Sequence, residues 1–260
     1  MKSHSLSLPL AAIALLFSST VGAATATSTA PKLMIDLSKF KLTLPVNSSG
    51  GTTGKSVEIK PNVLTGNPGY SSKYFYTDTT GAVVFYAPSN GATTSPGSGG
   101  DHTRSELREL YTGAGSTEWT NAVGGTMTAT ARVDQFPRDK GRVIIGQIHG
   151  LDSMMILVYY DGFKKNVEVK YYTAPSNTSY KTVVAASNVN LGAKISYRIQ
   201  WIGSSASVTV NGKTFNVTTG SAWNKVPVYF KAGAYSSSPN VGNAADDATQ
   251  VAFYNLSIQH

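Results

Sequence analysis

Short runs of alternating or β-branched residues, each ended by a turn signal, fill the chain from residue 34 to its last residues. Clusters of Gly, Pro, Asn and Ser recur at short intervals, as at residues 66–69 and 236–240. Helical periodicity is scarce between these clusters. The runs that predict strands include residues 127–136, 142–149, 155–160, 166–172, 195–202 and 251–258. This pattern predicts an all-β fold.

Many short strands at this spacing form either two antiparallel sheets packed face to face or one closed barrel. We favour a jelly-roll sandwich of two antiparallel sheets. Several strands carry polar residues on one face, which predicts that one sheet bends and leaves a concave groove on its open side. Asn211-Gly212 lies between two alternating runs and predicts a tight hairpin. A groove of this kind suits an extended polymer.

The first 23 residues have the composition of a signal peptide. Lys2 precedes an apolar run over residues 6–17, and small residues follow at 21–23. The run is too short for a membrane span of about 20 residues, so a membrane anchor is the weaker alternative. We therefore expect secretion, to the periplasm or the outside of the cell, and a mature chain that begins near Ala24.

The mature chain is expected to be one domain. Residues 24–33 are rich in Ala, Thr and Ser and predict a flexible segment, and residues 34–260 predict the folded domain. With 41% hydrophobic residues the chain can bury a substantial core. It has no cysteine, so neither disulfides nor thiol chemistry contribute. We expect a monomer.

The charge balance favours an acidic partner. Lys and Arg number 22 against 14 Asp and Glu, a formal net charge of +8, or +7 (8 − 1) once Lys2 leaves with the signal peptide. Nucleic acid fits this charge equally well, but the sequence has no dense basic stripe, RNA-binding aromatic motif or zinc-ligand spacing. A solvated basic surface without a partner is the plainer alternative.

The first chemical motif is the run His102-Thr-Arg-Ser-Glu-Leu-Arg. Side chains alternate along a strand, so Arg104, Glu106 and Arg108 share one face and Leu107 anchors the other in the core. A guanidinium holds a carboxylate through two parallel hydrogen bonds. We expect Glu106, between two arginines, to fix their side chains rather than to act as an acid.

Two further motifs have the same character. Gln147 and His149 share a face and combine an amide donor with a base whose ordinary pKa is about 6.5. Tyr229, Lys231 and Tyr235 share another face. Each motif alone has a plain structural explanation. If the three faces converge, a phenol next to cations can exchange protons with a substrate.

The three segments, in this order, resemble the motifs R-[ST]-E-[LV]-R, Q-[IV]-H and Y-F-K-A-G-x-Y-N-Q of the alginate lyases of polysaccharide lyase family 7. The resemblance extends across most of the mature chain and implies a β-jelly-roll sandwich. It implies four catalytic residues, Arg104, Gln147, His149 and Tyr235. Other predicted substrate-binding residues are Glu106, Arg108, Lys231, His102 and Tyr229. The third motif departs from the family pattern because Ser236-Ser237 replace Asn-Gln.

The resemblance also implies a reaction, β-elimination of a 4-linked uronate. Arg104 and Gln147 would neutralise the sugar carboxylate, and His149 and Tyr235 would carry the proton transfers. For mannuronate Tyr235 would be both base and acid, whereas for guluronate His149 would be the base. Ile148 in the second motif is similar to members that accept guluronate-containing blocks.

Three other functions stay open at this point. A lyase acting on another polyuronate, such as glucuronan, would need the same residue types. A non-catalytic module that binds acidic polysaccharide explains Arg104 and Lys231 but not the His149 and Tyr235 pair. A hydrolase needs two carboxylates across a cleft, and Glu106 and Glu109 point to opposite faces. No cofactor, metal site, nucleic-acid partner or membrane partner is expected.

Overall fold

The computed structural model of the protein describes residues 24–97, 100–151, 153–176, 178–239 and 246–260. The predicted signal peptide lies outside these residues. Four short helical segments are present in the described ranges, namely α1 (Pro61–Leu64) and 3-10 turns at Pro31–Leu33, Gly113–Gly115 and Ser221–Trp223. The strands, in chain order, are β1 (Phe40–Thr43), β2 (Glu58–Ile59), β3 (Phe75–Thr77), β4 (Val83–Pro88), β5 (Thr93–Ser95), β6 (Gly100–Glu109), β7 (Gly125–Gln135), β8 (Arg142–Gly150), β9 (Ser153–Asp161), β10 (Asn166–Tyr172), β11 (Tyr180–Ala186), β12 (Lys194–Ile202), β13 (Ser205–Val210), β14 (Lys213–Val217), β15 (Tyr229–Pro239) and β16 (Ala248–Gln259).

The strands form two antiparallel sheets, which confirms the predicted jelly-roll sandwich. The first sheet has the order β11-β10-β9-β8-β15-β6-β1-β2, with β5 paired to β6. The second has the order β14-β13-β12-β7-β16-β4-β3. The hairpin predicted at Asn211-Gly212 joins β13 to β14, and both residues have positive φ, as a tight two-residue turn requires.

The core lies between the sheets and follows from the alternation along each strand. Apolar residues of the first sheet, such as Leu107, Ile148 and Phe230, pack against the second sheet, while their neighbours in sequence face the opposite side. The side of β6, β15 and β8 that faces away from the core is here called the cleft. All three chemical motifs lie on these adjacent strands.

Strand β8 contains an irregularity that decides which of its side chains reach the cleft. Before it, Val143 is fully buried in the core while Arg142 and Ile144 are partly exposed. The pairing with β9 then shifts between Ile144 and Gly146. Beyond the shift, Gln147 and His149 face the cleft and Ile148 faces the core. The bulge thus places side chains from both ends of β8 on the cleft face.

Gly233 allows β15 to lie close to β6. Its φ is +155°, and a Cβ at this position would lie 2.4 Å from the Ser105 carbonyl oxygen and 2.7 Å from the Cα of Glu106. The glycine therefore makes room for the backbone of the neighbouring strand, and any side chain here would push the first and third motifs apart.

Contacts begin earlier in the chain than the sequence pattern indicates. Ala26 forms a β-bridge with Asp78, the Thr27 amide donates to the Thr77 carbonyl, and a 3-10 turn covers Pro31–Leu33. Structure thus starts before Met34, although the flexibility of residues 24–33 stays a prediction. None of the helices in the described ranges has the length and apolar character that a membrane crossing needs.

Candidate active site

A buried carboxylate joins the three motifs. Glu106 is 1% exposed, and its Oε2 lies 2.5 Å from the Lys231 ammonium and 3.4 Å from Nη1 of Arg104. Its Oε1 accepts a hydrogen bond of 2.5 Å from the side-chain amide of Gln147. These four residues, here called the Glu106 cluster, come from β6, β15 and β8. The predicted convergence of the three faces is therefore confirmed.

A second group lies at the His149 end of the cleft. Nδ1 of His149 is 3.1 Å from the Tyr229 hydroxyl, and the two rings stack with centroids 5.4 Å apart. The Arg108 guanidinium lies 3.8 Å from the centre of the Tyr229 ring and donates a 2.7 Å hydrogen bond to Glu118. Glu118 thus holds Arg108, Arg108 covers Tyr229, and Tyr229 fixes the imidazole of His149.

Tyr235 lies on the other side of the Glu106 cluster. The Arg104 guanidinium lies 3.9 Å from the centre of its ring, and the Lys231 ammonium lies 5.9 Å from it. His102 contacts the same ring edge-on, with centroids 5.9 Å apart. The phenol is therefore bordered by two cations and an imidazole, and its register partners are Arg104 on β6 and Ile144 on β8.

Three buried polar atoms of the cleft lack a hydrogen-bond partner among the described residues. They are Nε of Arg104, Oε1 of Gln147 and Nδ1 of His102. Buried polar atoms in folded proteins are nearly always paired. A polar ligand in the cleft would therefore complete the hydrogen bonds of these three atoms.

All nine residues selected from the sequence lie on the cleft face, but the pairing within the first motif differs from the expectation. Glu106 does not lie between two arginines, because its second cation is Lys231. Arg108 pairs with Glu118 and also donates to the Glu109 carbonyl. The sequence missed Glu118, which lies beyond β6 where no alternation marks its direction.

The sequence matches the alginate lyase family over residues 35–260. The chain belongs to the alginate lyases of polysaccharide lyase family 7. One relative is the alginate lyase of Klebsiella pneumoniae, which is 30% identical over 89% of this chain and 91% of its own length. The chain is thus a polysaccharide lyase, and the resemblance carried by the three motifs is confirmed.

Solved structures agree with this assignment. Alginate lyase A1-II', a member of polysaccharide lyase family 7, is 29% identical with a TM-score of 0.75 and covers 88% of this chain and 98% of its own. Alginate lyase PA1167 of Pseudomonas aeruginosa is 27% identical with a TM-score of 0.74, over 86% of this chain and 99% of its own. A variant of A1-II' with a histidine changed to asparagine and a tyrosine to phenylalanine was solved with substrate (GGMG).

Electrostatics keep the His149 side chain of this lyase neutral. Burial lowers the pKa of the imidazole to about 3, and the positive charge of Lys231 acts in the same direction. A neutral imidazole has one nitrogen that accepts a proton. For Nε2 to be that nitrogen, Nδ1 must carry the hydrogen and donate it to the Tyr229 oxygen. The Tyr229 contact thus selects the tautomer of a base.

The other titratable groups of the cleft have defined charges as well. Burial opposes the charge of Glu106, but Lys231 and Arg104 outweigh it and hold the pKa of this carboxyl below its usual value. Burial lowers the pKa of Lys231 to about 8, although Glu106 opposes the shift. Burial also raises the pKa of the Tyr235 phenol, against the pull of Arg104. Near neutral pH the cleft combines a neutral base, a protonated phenol and cations.

Within the described ranges, no three His, Cys, Asp or Glu side chains are grouped so that they would hold a metal ion. The expectation that the reaction needs no cofactor stays a prediction.

Proposed function

We propose that this lyase cleaves the 4-O-glycosidic bond of mannuronate and guluronate polymers by β-elimination and releases unsaturated oligouronates. The observation that carries the proposal is a neutral His149 on the same face as a cluster that presents Arg104, Gln147 and Lys231. Proton abstraction beside a carboxylate needs both, because negative charge develops on that carboxylate as the proton leaves.

In the proposed reaction, a base takes the proton on C5 of the uronate. The C–H electron pair forms a double bond between C4 and C5, the C4–O4 bond breaks, and O4 receives a proton from an acid. No water is consumed. Arg104 and Gln147 stabilise the doubly charged carboxylate of the transition state, and Lys231 adds positive charge to the same region.

The pKa directions support His149 as the base and Tyr235 as the acid. His149 is neutral at physiological pH and Tyr235 keeps its proton, because burial lowers the pKa of the first and raises that of the second. This division of roles suits guluronate, in which the C5 proton and O4 lie on opposite sides of the ring. We infer that guluronate-containing blocks are cleaved faster than mannuronate blocks.

One relative supports the choice of residues. The lyase A1-II' was solved with substrate (GGMG) after a histidine and a tyrosine had been replaced. Replacing two proton-transfer residues is a way to retain substrate in a crystal. His149 and Tyr235 are the histidine and tyrosine that we place in these roles here.

The test follows the ultraviolet absorbance of newly formed unsaturated uronate. Wild-type protein should generate this signal from alginate, whereas His149→Ala and Tyr235→Phe should each lose most turnover, by about 10²- to 10⁴-fold, and still bind the polymer. Tyr86→Phe, in the second sheet, is the matched control and should retain the wild-type rate. Wild-type rates of Tyr235→Phe on every block type would remove the phenol from the mechanism.

The same assay separates the alternative functions. A binding module produces no absorbance, and a hydrolase produces reducing ends without it. A panel of glucuronan, hyaluronate and pectate tests whether another polyuronate is preferred.

We further propose that the protein is secreted and acts as a monomer. The composition of residues 1–23 supports secretion. Activity in the medium or periplasm, a mature N-terminus near Ala24 and a monomer mass by light scattering are the expected results.

A further inference from the structure

The side of the second sheet that faces away from the core carries mostly short hydroxyl and amide side chains. This side of β14, β13, β12, β7 and β16 is here called the outer face. On β12, for example, exposed Ser196 and Arg198 alternate with buried Ile195, Tyr197 and Ile199. A shallow depression of about 360 Å³ lies on the outer face, and the residues that line it include Thr128, Thr130, Ser196, Arg198, Thr209 and Thr214. Because the two sheets pack face to face, this depression and the cleft lie on opposite sides of the sandwich.

A row of side chains crosses five strands of the outer face. Arg198 on β12 lies opposite Thr128 on β7 and Thr209 on β13. Thr209 lies in turn opposite Thr214 on β14, and Thr128 lies opposite Ser257 on β16. Four strand spacings make the row about 19 Å long. The row is therefore long enough for an extended polymer, and Arg198 lies at its centre.

Arg198 has no anionic partner on this face. Its side chain is exposed, and within the described residues no hydrogen bond or ion pair involves its guanidinium. Arg132, on β7 of the same face, is different because it pairs with Asp134 at 2.6 Å and donates to the Tyr254 hydroxyl. The guanidinium of Arg198 thus remains available to hold a carboxylate through two parallel hydrogen bonds.

The sequence around Arg198 contains no acid that would repel such a carboxylate. Between Glu168 and Asp246 there is no Asp or Glu, although this stretch contains seven of the Lys and Arg residues. The other 15 basic residues (22 − 7) nearly balance the 14 acidic ones, so the stretch accounts for almost all of the net charge of +8. Strands β12, β13 and β14 lie within it, and Lys194 and Arg198 are exposed on the outer face. This face therefore attracts polyanions.

The hydroxyl groups of the row are held in place by one another. The Thr209 and Thr214 hydroxyls are 2.9 Å apart, and the side-chain amide of Gln200 donates a 3.0 Å hydrogen bond to the Thr126 hydroxyl. A hydroxyl has one donor and two acceptor positions, so each keeps capacity for a further hydrogen bond to a sugar hydroxyl. Threonine is frequent on exposed strands, which explains the hydroxyls alone. It does not explain an arginine without a partner at their centre.

We propose that the outer face is a second binding site for acidic polysaccharide, with a sugar carboxylate on Arg198 and sugar hydroxyls on the threonine row. The site goes beyond the proposed function, because it lies outside the cleft and takes no part in bond cleavage. Since the two sites face opposite directions, they engage different chains or distant parts of one chain. Binding at both retains the enzyme on a network of chains by raising the effective concentration of polymer at the cleft.

The experiment measures retention on beads that carry covalently coupled alginate. Arg198→Gln should weaken retention about tenfold, because it removes a charged group from the centre of the site. Arg198→Lys keeps the charge without the planar fork and should give an intermediate value. Turnover of soluble short oligomers should stay at the wild-type rate for both variants, because these substrates use the cleft alone. All the variants share the wild-type cleft, so digestion of the beads affects them alike.

Lys213→Gln is the matched control for the loss of charge. Lys213 lies on β14 of the same sheet, next to Thr214, but its ammonium is 5.0 Å from the centre of the Phe215 ring. Phe215 shares a face with buried Val217, so Lys213 belongs to the opposite side of the strand. This variant should be retained as wild type is. An equal loss from Lys213→Gln and Arg198→Gln would reduce the effect to net charge and overturn the proposal.

A carboxylate placed on the row tests the site in a second way. Thr128 is exposed opposite Arg198, so the side chain of Thr128→Glu should pair with this arginine and repel the polymer. Retention should fall at least as far as in Arg198→Gln, whereas Thr128→Gln, of the same length and without charge, should stay near wild type. Thermal unfolding of each variant checks that the sheet is intact.

Two results separate this proposal from the proposed function. An active wild type with equal retention of all variants would refute the outer-face site alone. An inactive wild type whose retention still depends on Arg198 would refute the lyase mechanism and leave the site standing. Duplex DNA that displaces the wild type as well as free alginate does, at equal charge concentration, would make the face a general anion surface and overturn the proposal. Beads with neutral dextran should retain none of the proteins.

Discussion

Two glutamates on strand β6 show how position decides what a buried carboxylate does. Glu106 and Glu109 are three residues apart and face opposite sides of the sheet, and both are almost fully buried. Glu106 gathers Lys231, Arg104 and Gln147 on the cleft side. Glu109 accepts hydrogen bonds from the Trp119 indole and the Phe230 amide, and it pairs with His260 at 2.5 Å.

The difference lies in the partners. The partners of Glu106 are side chains that also face a substrate, so this carboxylate fixes groups needed for reaction. The partners of Glu109 are a core indole, a backbone amide and a histidine at the end of the sandwich, so this carboxylate fixes the fold. A buried acid is thus a sign of function only when its partners have a second use in an open site.

The largest loss of activity should come from a substitution in the Glu106 cluster. Glu106→Gln removes the charge that fixes Arg104 and Lys231, and we expect kcat/KM to fall about 10³-fold. Because Glu106 raises the pKa of Lys231, the variant should also hold less positive charge there. Initial rates from the absorbance of unsaturated product measure the loss. A fall of less than tenfold would contradict the organising role of Glu106.

Tyr229→Phe tests the hydrogen bond between the Tyr229 hydroxyl and Nδ1 of His149. Without the Tyr229 oxygen, Nδ1 of His149 has no acceptor that selects the productive tautomer. Losing one hydrogen bond of about 1 kcal/mol predicts a fall in kcat of about fivefold, with KM little changed. Tyr254→Phe, in the second sheet, serves as control. An unchanged kcat would show that the tautomer is set by another contact.

The charge of Lys231 should appear as the alkaline limb of the pH profile. Its pKa of about 8 means that the ammonium is present below this pH and lost above it, so kcat/KM should fall as pH rises through about 8. Lys231→Arg keeps its charge and should move this limb to higher pH. Because the His149 pKa is about 3, no acid limb near 6.5 is expected from the base. Measurements of kcat/KM against pH for wild type and for Lys231→Arg test both expectations.

Substitution of Glu109 should lower the stability of the fold and hardly change kcat. Glu109→Gln and His260→Gln should each lower the free energy of unfolding by about 2 kcal/mol and Tm by about 6 °C, with kcat within twofold of wild type. Calorimetry measures the free energy of unfolding and Tm, and the absorbance assay measures kcat. A kcat loss comparable to that of Glu106→Gln would erase the contrast between the two sites.

The stability effect should depend on pH. Burial opposes the charge of His260, but hydrogen bonds to Glu109 and to the Gly124 carbonyl outweigh it and raise its pKa. A raised pKa means that this contribution is complete below the unfolded value of about 6.5 and is lost as pH rises through the folded value. The Tm difference between wild type and His260→Gln should therefore be larger at about pH 6 than at about pH 9.

The sequence predicted the fold class and the cleft residues because both follow from local alternation. Leu107 between Glu106 and Arg108 shows which face is buried, and the predicted runs match β7 to β10 within a few residues. What alternation cannot give is the register between strands distant in sequence. The pairing of Glu106 with Lys231, rather than with Arg108, depends on how β15 lies beside β6.

The other features that the sequence did not predict lie in loops and irregular strands. Glu118 follows a 3-10 turn, and nothing in its neighbourhood signals that it pairs with Arg108. Arg142 lies before the bulge of β8, where strict alternation from His149 would place it in the core. A period-2 pattern fails wherever a strand gains a residue, so the sequence could not predict that Arg142 faces the same side as His149.

The extra residue in β8 also limits how this scaffold can be altered. If β8 were straightened without the loss of a residue, strict alternation would turn one half of the strand over. Either Arg142 would enter the hydrophobic interior or Gln147 and His149 would. Substitutions that keep the extra residue bulged out of the ladder are therefore the safer routes to a lyase with altered chain preference.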